Sequence, residues 1–388
     1  MTVEPVSRER VLTGPFLLVG FAHFFHALSF SLFLHLPGFL QRLGANEFSI
    51  GVIFGVTAAA AVAFRPIMGR AMDERGRRVV VVAGGALHIV ACALYLTVHS
   101  LGPWIYVVRV IHGIAEATMF AALFALAADI VPESRRIQGI AWFGVSGMLP
   151  NAIGGVLGDV ILRRATYATL FTLAVSFAVV GWLCSLPLRD PRPRMAGDVP
   201  SRGLLAAAMQ RNMLPLWWIG AAFSIALAAH FVFIKTFVAE RHVGSVGLFF
   251  TAYSLAAVSL RVFFGGLPDR VGPRAVLAPA LALFVIGQLV LAGAHSSLAV
   301  GVAGVLCGCG HGFTFPILVG IVVTRARDAE RGSALALFTA LFDLGALIGA
   351  PMWGAVAGRF HHGPMFATSA IVMAVCTLTY FAWDREGA

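Results

Sequence analysis

The chain has 388 residues, of which 59% are hydrophobic and 12% are charged, and its mean hydropathy is +0.88. This composition excludes an ordinary soluble domain and is typical of a protein that crosses a membrane several times. The formal net charge is +10, but the cations lie in short segments between apolar runs, where they orient helices, so we predict no nucleic-acid partner.

Twelve apolar runs are long enough to span a bilayer as helices. The first follows Arg8 and Arg10 and has about 25 residues, longer than the core of a signal peptide, so we predict a retained first helix. The predicted fold class is an all-α membrane protein with twelve transmembrane helices, at 15–40, 48–70, 77–99, 103–128, 138–159, 166–187, 213–238, 245–267, 275–295, 297–323, 333–357 and 364–383.

A long polar stretch, 188–212, is rich in proline and arginine and is predicted to be a cytoplasmic linker. It separates an N-terminal six-helix bundle, 1–187, from a C-terminal six-helix bundle, 213–388. With the N-terminus inside, nineteen arginines fall in cytoplasmic segments and five on the opposite side, which predicts that both termini are cytoplasmic. We expect a multi-pass protein of the cell membrane, in a bacterium the inner membrane.

A short charged phrase occurs twice, each time between two apolar runs. Its second copy lies 196 residues after the first, and the matched pairs are Arg65 and Arg261, Gly69 and Gly265, Asp73 and Asp269, Gly76 and Gly272, and Arg78 and Arg274. A second match, at an offset of 195, aligns 113–143 with 308–338. Parallel repeats of this kind are typical of transporters with a site at the interface between two bundles.

The repeated phrase resembles the loop signature Gly-x-x-x-Asp-Arg-x-Gly-Arg-Arg of the major facilitator superfamily, although Glu74 follows Asp73 where the family has arginine. In that family the loop aspartate and its arginines form a charge latch at the cytoplasmic gate. The resemblance implies this gate role for Asp73, Arg75, Arg77, Arg78, Asp269 and Arg270. The alternative is a short positive-inside turn with no further role.

The resemblance also implies a monomeric secondary transporter, in which two six-helix bundles alternate access to a central site. It implies a proton gradient as the energy source and no cofactor. Leu36-Pro37 and the phrase Arg109-Val-Ile-His112-Gly113, which resembles the family's fourth-helix motif Arg-x-x-Gln-Gly, favour the drug:proton antiporter branch. Nothing in the sequence resembles a nucleotide-binding loop or a nucleophile elbow, so we do not expect an enzyme.

Arg109, His112 and Glu116 lie on one face of the predicted fourth helix, because they are spaced three and four residues apart. Glu116 falls near the membrane midplane, where a carboxylate is costly unless it has a partner or a function. We expect Glu116 to bind protons or substrate, Arg109 to tune it, and His112 to add a titratable or hydrogen-bonding group. The alternative is a buried structural ion pair between Arg109 and Glu116.

Asp343 is the sole acid within the predicted eleventh helix and also falls near the midplane. It is the second candidate for a proton or cation site, with a helix-packing hydrogen bond as the alternative. His311 aligns with Glu116 in the repeat, so the two side chains are candidates to face one another across the cavity. The alternative for His311 is a buried histidine bound to backbone.

His23 and His26 lie one turn apart on the first helix among several phenylalanines. A face of imidazole and phenyl rings suits an aromatic or cationic amphiphile, whereas a lipid-facing or packing surface is the alternative. No cysteine or acid is near these two histidines in sequence, so no metal site is predicted. The five cysteines are expected to be small core residues.

The leading hypothesis is proton-coupled efflux of a small amphiphilic compound, with Glu116 and Asp343 alternating between proton and substrate. The first alternative is proton-linked uptake of a metabolite anion, with Lys235, Arg109 and the histidines as cationic ligands. The second is a membrane sensor that uses the same fold without transport. The expected partners are therefore a small molecule, protons and the lipid bilayer.

Overall fold

The computed structural model describes residues 12–132, 135–190, 207–327 and 330–384, and within them it leaves the side chains of 73, 136–138, 141 and 331–332 undescribed. Twelve of the described helices are long and apolar enough to cross a membrane, which confirms the predicted fold class. They are α1 (Gly14–Arg42), α2 (Glu47–Arg75), α3 (Arg77–Leu94), α4 (Pro103–Ile130), α5 (Arg136–Arg164), α6 (Tyr167–Ser185), α7 (Leu214–Arg241), α8 (Val246–Phe264), α9 (Pro273–Ala292), α10 (Ser297–Arg325), α11 (Arg331–Phe360) and α12 (His362–Trp383). Most of the predicted linker lies outside the described residues, so the bundle boundaries stay predictions.

Both copies of the repeated phrase form the turn between the second and third helices of their half. Gly76 separates α2 from α3 with φ of 85°, and Gly272 precedes α9 with φ of 88°, after a five-residue helix, Leu267–Val271. Residues with a Cβ atom rarely adopt a positive φ, but glycine adopts it without strain. The repeated glycines therefore end helices at equivalent points of the two halves.

Helix α1 is interrupted by one turn of 3₁₀-helix, Leu32–His35. Pro37, two residues after His35, has no N–H with which to bind the carbonyl of Phe33, and the N–H of Leu36 binds that carbonyl instead. The tighter turn brings His35 against α5, where its Nε2 lies 3.1 Å from the carbonyl oxygen of Gly155.

The bundles meet through two main helix pairs, α2 with α11 and α5 with α8. We call the end of the molecule where α1 begins and α12 ends the termini face, and the opposite end the far face. Towards the far face, a Cβ on Gly51 of α2 would overlap the carbonyl of Ala350 in α11, and a Cβ on Gly155 of α5 would lie 3.1 Å from Cα of Gly247 in α8. The far face is thus closed by backbone packed against backbone, which glycine makes possible.

The ionic contacts observed at the termini face join helices of the same bundle. Arg77 pairs with Asp129 of α4 in the N-terminal half. In the C-terminal half, Arg325 binds both carboxylate oxygens of Asp384, at 2.8 and 2.9 Å. Backbone packing at the far face thus fastens the halves to each other, and the two described ion pairs at the termini face each stabilise one half.

Candidate functional site

One ion pair joins the two bundles midway along their helices. Nε of Arg65 in α2 donates to Oδ2 of Asp343 in α11 at 2.6 Å, and a second guanidinium nitrogen pairs with the same oxygen. The third nitrogen donates to Oγ1 of Thr339, one turn away on α11, at 3.3 Å. All three nitrogens of one guanidinium group are thus bound to the opposite bundle.

The ion pair of Arg65 and Asp343 lies deep in the molecule but is partly exposed. Asp343 is about 18 Å along α11 from its first residue, at 1.5 Å per residue. The side chains of Arg65 and Asp343 keep exposed fractions of 29% and 26%. A charge pair at this depth is strongly coupled, because the surroundings screen it poorly, and separating it leaves two costly charges.

The repeat-equivalent arginine makes a different contact. Arg261 of α8 lies against α5, so that a Cβ on Gly144 would be 3.0 Å from its Nη1, and its Nε donates to the carbonyl of Gly312 at 3.0 Å. At an offset of 195, Met148 stands where α11 has Asp343. Arg261 thus lies between the bundles as Arg65 does, but the helix that it meets has no acid at the position equivalent to Asp343.

Glu116 lies half-buried on α4, and the charged groups that act on its carboxylate are those of Arg109, Asp343 and Arg65. Within the described part of the chain its carboxylate has no hydrogen bond and no ion pair. A carboxylate in such a position is stabilised by a bound proton or by a cationic ligand. The structure thus brings the two predicted acids, Glu116 and Asp343, within electrostatic range of each other.

Arg109 is buried inside the N-terminal bundle and does not pair with Glu116. Its Nε donates to the carbonyl of Ile53 at 3.1 Å, its Nη1 donates to the hydroxyl of Tyr95 at 3.1 Å, and its guanidinium carbon lies 4.5 Å from the ring centre of Phe54. The buried Arg109–Glu116 ion pair considered from the sequence is therefore not formed. Arg109 acts on Glu116 through space only.

The predicted histidines all lie in contacts within one bundle. His112 has Nδ1 at 3.0 Å from the hydroxyl of Tyr95, and Nδ1 of His311 bonds to the hydroxyl of Tyr253. The partner of His311 is thus a tyrosine rather than backbone, and its proposed position opposite Glu116 stays a prediction.

The two histidines of α1 are buried at separate contacts. Nδ1 of His23 lies 2.7 Å from Oγ of Ser146, and its ring stacks on Phe143 at 4.3 Å. The His26 ring packs near Gly85 and Gly181. Both rings thus pack between helices in this structure, and a role for them at a ligand-binding face stays a prediction.

Among the described residues, the contacts given for two of the predicted gate arginines lie within one bundle. Arg77 is bound to Asp129, and Arg78 donates from Nη2 to the carbonyl of Leu186 at 2.9 Å, both inside the N-terminal bundle. Arg75, Asp269 and Arg270 are exposed. The side chain of Asp73 lies outside the described residues, so its gate role stays a prediction.

Sequence reasoning missed two acids that bridge the bundles at the far face. Oδ2 of Asp159 in α5 accepts the backbone N–H of Gly247, in the first turn of α8, at 2.7 Å. Oε2 of Glu47, at the start of α2, accepts from Oγ1 of Thr236 at 3.1 Å and lies 3.6 Å from Nε2 of His362. Both acids lie at the ends of apolar runs, and this position could have marked them as candidates in the sequence. The sequence does not indicate which helix each acid contacts.

The chain matches a family model described as Major Facilitator Superfamily over residues 17–246 and again over 216–388. An uncharacterised MFS-type transporter of Salmonella typhimurium is 26% identical over 318 residues, 78% of this chain and 79% of that protein. The multi-drug resistance efflux pump PmrA of Streptococcus pneumoniae is 24% identical over 375 residues, 92% and 93% of the two chains. The solved structure of the nucleoside transporter NupG has a TM-score of 0.76 at 13% identity, and the match covers 96% of this chain and 100% of that one. With its twelve helices and a family match in each half, this chain belongs to the Major Facilitator Superfamily of membrane transporters.

Proposed function

We propose that the protein exports a small amphiphilic compound in exchange for protons, across a bacterial inner membrane. Both termini would lie in the cytoplasm, so that the termini face is the cytoplasmic face and the far face is external. The observation that carries the proposal is the ion pair between Arg65 and Asp343, which joins the bundles at mid-depth with Glu116 in electrostatic range.

Protons and substrate compete for the same two carboxylates in this proposal. With the far face closed, substrate enters from the cytoplasm and displaces protons from Glu116 and Asp343. After the far face opens, substrate leaves and protons from outside bind in its place. A neutral Asp343 holds Arg65 less tightly, which lowers the cost of moving the bundles past each other.

Half-buried aromatic side chains in both halves favour an apolar, partly cationic compound. Phe30 and Phe120 from the N-terminal half have ring centres 6.4 Å apart, and Phe315 and Phe342 from the C-terminal half have ring centres 5.0 Å apart. All four rings are half-buried. Aromatic surfaces beside a carboxylate bind cationic amphiphiles by burying apolar surface area and by cation–π attraction. The name of the pneumococcal relative, a multi-drug resistance efflux pump, supports the same class of substrate.

The test is proton release by purified protein in detergent when cationic, neutral or anionic compounds are added. We expect a cationic or neutral amphiphile to release protons from the wild type. We expect this release to be lost in Glu116→Gln or in Asp343→Asn. A matched control is Asp129→Asn, because that acid is paired with Arg77 inside one bundle.

Proton uptake on addition of an anion, unchanged in both acid variants, would contradict the proposal. So would equal proton release by all four proteins. Transport in proteoliposomes under an imposed pH gradient then checks whether the released proton is coupled to movement of the compound.

A further inference from the structure

Three metal-binding side chains meet inside the N-terminal bundle, away from the pair of Arg65 and Asp343. His88 and Cys92 are one turn apart on α3, and His112 faces them from α4. One ligand atom of each lies within 4.8 Å of the other two, and all three side chains are fully buried. The sequence predicted no metal site because Cys92 and His112 come from different helices.

The hydrogen bonds of this cluster leave ring nitrogens without partners. Nδ1 of His88 and Nε2 of His112 have no hydrogen bond, and neither ring nitrogen of the neighbouring His26 has one. The ring centres of His26 and His88 are 5.7 Å apart. Buried polar atoms are nearly always satisfied, since an orphan costs about 1–3 kcal/mol. Of these atoms, Nε2 of His112 is the one that the cluster can offer to a ligand, because His88 turns its hydrogen-bonded Nε2, and not its orphan Nδ1, towards Cys92.

The contacts around the cluster are those of a prepared ligand set. Nε2 of His88 is 3.7 Å from Sγ of Cys92, close to the spacing of two ligands on one ion. The hydroxyl of Ser29 lies 3.1 Å from that nitrogen and 3.5 Å from the sulfur, and an ion would replace these two contacts. The Tyr95 hydroxyl, 3.0 Å from Nδ1 of His112, also accepts from Arg109. In the tautomer in which Nδ1–H of His112 donates to this hydroxyl, the hydrogen bond fixes the imidazole ring and leaves the Nε2 lone pair for a metal. Binding would draw the widest ligand pair together by about 1 Å.

Charge decides which ion suits the site. A thiolate with Cu⁺ is neutral overall, whereas a thiolate with Zn²⁺ keeps one positive charge in an apolar bundle, where an uncompensated charge is expensive. Thiolate and imidazole are both good ligands for Cu(I), and structural Zn²⁺ sites almost always have four ligands. The three-residue set of one cysteine and two histidines therefore favours copper.

We propose that His88, Cys92 and His112 bind one Cu(I) ion, which ties α3 to α4 within the N-terminal bundle. The ion is resident and is not the transported compound, because its ligands all lie in the same bundle. Binding converts the thiol of Cys92 to a thiolate and releases its proton, and the oxidation state of copper does not change. The proposal does not depend on the transport function proposed above.

The test is whether purified, reduced, full-length protein in detergent retains Cu(I) under anaerobic conditions. A competing Cu(I) chelator that becomes coloured when it binds the ion measures the copper that the protein gives up. We expect one copper per wild-type chain after desalting, and loss of copper in Cys92→Ser and in His112→Gln. Cys307→Ser is the matched control, because Cys307 is an equally buried cysteine in the other half. X-ray absorption of the loaded wild type should show one sulfur and two nitrogen ligands.

A variant that fails to fold is separated from one that fails to bind by its circular dichroism and gel-filtration profile. The wild type alone provides a second test. Cu(I) should raise its melting temperature, and Zn²⁺ at the same concentration should raise it less. Absence of copper from the wild type, full retention in Cys92→Ser, or stronger stabilisation by Zn²⁺ would overturn the proposal.

Discussion

Arg109 holds three helices of the N-terminal bundle together through one guanidinium group. It binds the Ile53 carbonyl on α2, the Tyr95 hydroxyl just after α3, and the face of the Phe54 ring. These partners are all in its own bundle, so the side chain has a structural task whatever part it takes in coupling. Removing it leaves a buried carbonyl and a buried hydroxyl without their donor.

We therefore expect Arg109→Gln to lower the free energy of unfolding by about 3 kcal/mol. Thermal unfolding in detergent measures the change. Arg42→Gln is the control, because Arg42 is exposed and contacts the ring of Tyr167 at 4.8 Å, so its loss should cost little. If Arg109→Gln kept its melting temperature but lost proton coupling, the coupling role that the family motif implies would replace the structural one.

Asp384, just beyond α12, makes the stability of the C-terminal bundle depend on pH. Burial raises the pKa of Asp384, but hydrogen bonds from Arg325 and Tyr380 and the charge of Arg325 outweigh it, so the pKa lies below its ordinary value of 3.8. A carboxylate with a depressed pKa stabilises the fold above its unfolded pKa and stops doing so as the pH falls through its folded pKa.

Asp384→Asn should therefore lower the free energy of unfolding by about 2 kcal/mol at pH 7. The difference from the wild type should shrink as the pH falls below 3.8, where the carboxyl of the unfolded chain takes up a proton, and should be lost below the lower pKa of the folded carboxyl. Melting temperatures across a pH series measure it, with the exposed Asp269→Asn as control. A difference that did not change with pH would contradict this assignment.

Single functional candidates were predictable from the sequence when a charged side chain lay inside an apolar run. Asp343 and Glu116 were candidates because each is an acid inside an apolar run. The partner of Asp343 was not predictable, because Arg65 is 278 residues away and helix rotation decides which side chains meet. The same limit hid the cluster of His88, Cys92 and His112, whose members look like ordinary core residues until the helices pack.

At the scale of helices, close approach between α2 and α11 depends on glycine. A Cβ on Gly51 would overlap backbone atoms of Ala350, whereas a Cβ on Gly69 of the same helix would meet nothing within 4 Å. The lengths and number of helices followed from apolar runs, but this choice of helix partners did not. Small residues at equivalent spacing occur in several helices, and periodicity alone does not select among them.

Gly51→Ala should push α2 and α11 apart at the far face, at a cost of about 1–3 kcal/mol to the closed form. The ratio of closed to open molecules should then fall by about tenfold for each 1.4 kcal/mol. Distances between spin labels at the far ends of α2 and α11 report the change. Gly69→Ala should leave the distances as they are; equal effects of the two substitutions would mean that the contact at Gly51 does not control closure.

At the scale of the whole molecule, Glu47 and Asp159 fasten the two halves together at the far face. Asp159 accepts the N–H of Gly247 in the first turn of α8, where the helix dipole favours a negative charge. Glu47 binds Thr236 and lies beside His362. Each acid belongs to the N-terminal half and each of these partners to the C-terminal half, so neutralising the acids should favour opening.

The double variant Glu47→Gln, Asp159→Asn should raise the ratio of open to closed molecules at the far face, by about tenfold for a combined loss near 1.4 kcal/mol. Spin-label distances between the far ends of α5 and α8 measure the fraction. Asp129→Asn, which removes an acid that pairs within one bundle, is the control. An unchanged distance distribution would show that glycine packing alone closes this face.

The contact of Arg261 with Gly144, in place of an acid, makes the two seams between the bundles unequal. One seam, α2 with α11, contains the charge pair of Arg65 and Asp343, and the other has Met148 at the position equivalent to Asp343. In the proposed exchange, a proton that neutralises Asp343 would loosen the first seam and leave the second unchanged. This inequality would give a molecule made of two similar halves a preferred pivot, with α5 and α8 as the axis and α2 and α11 as the edge that swings.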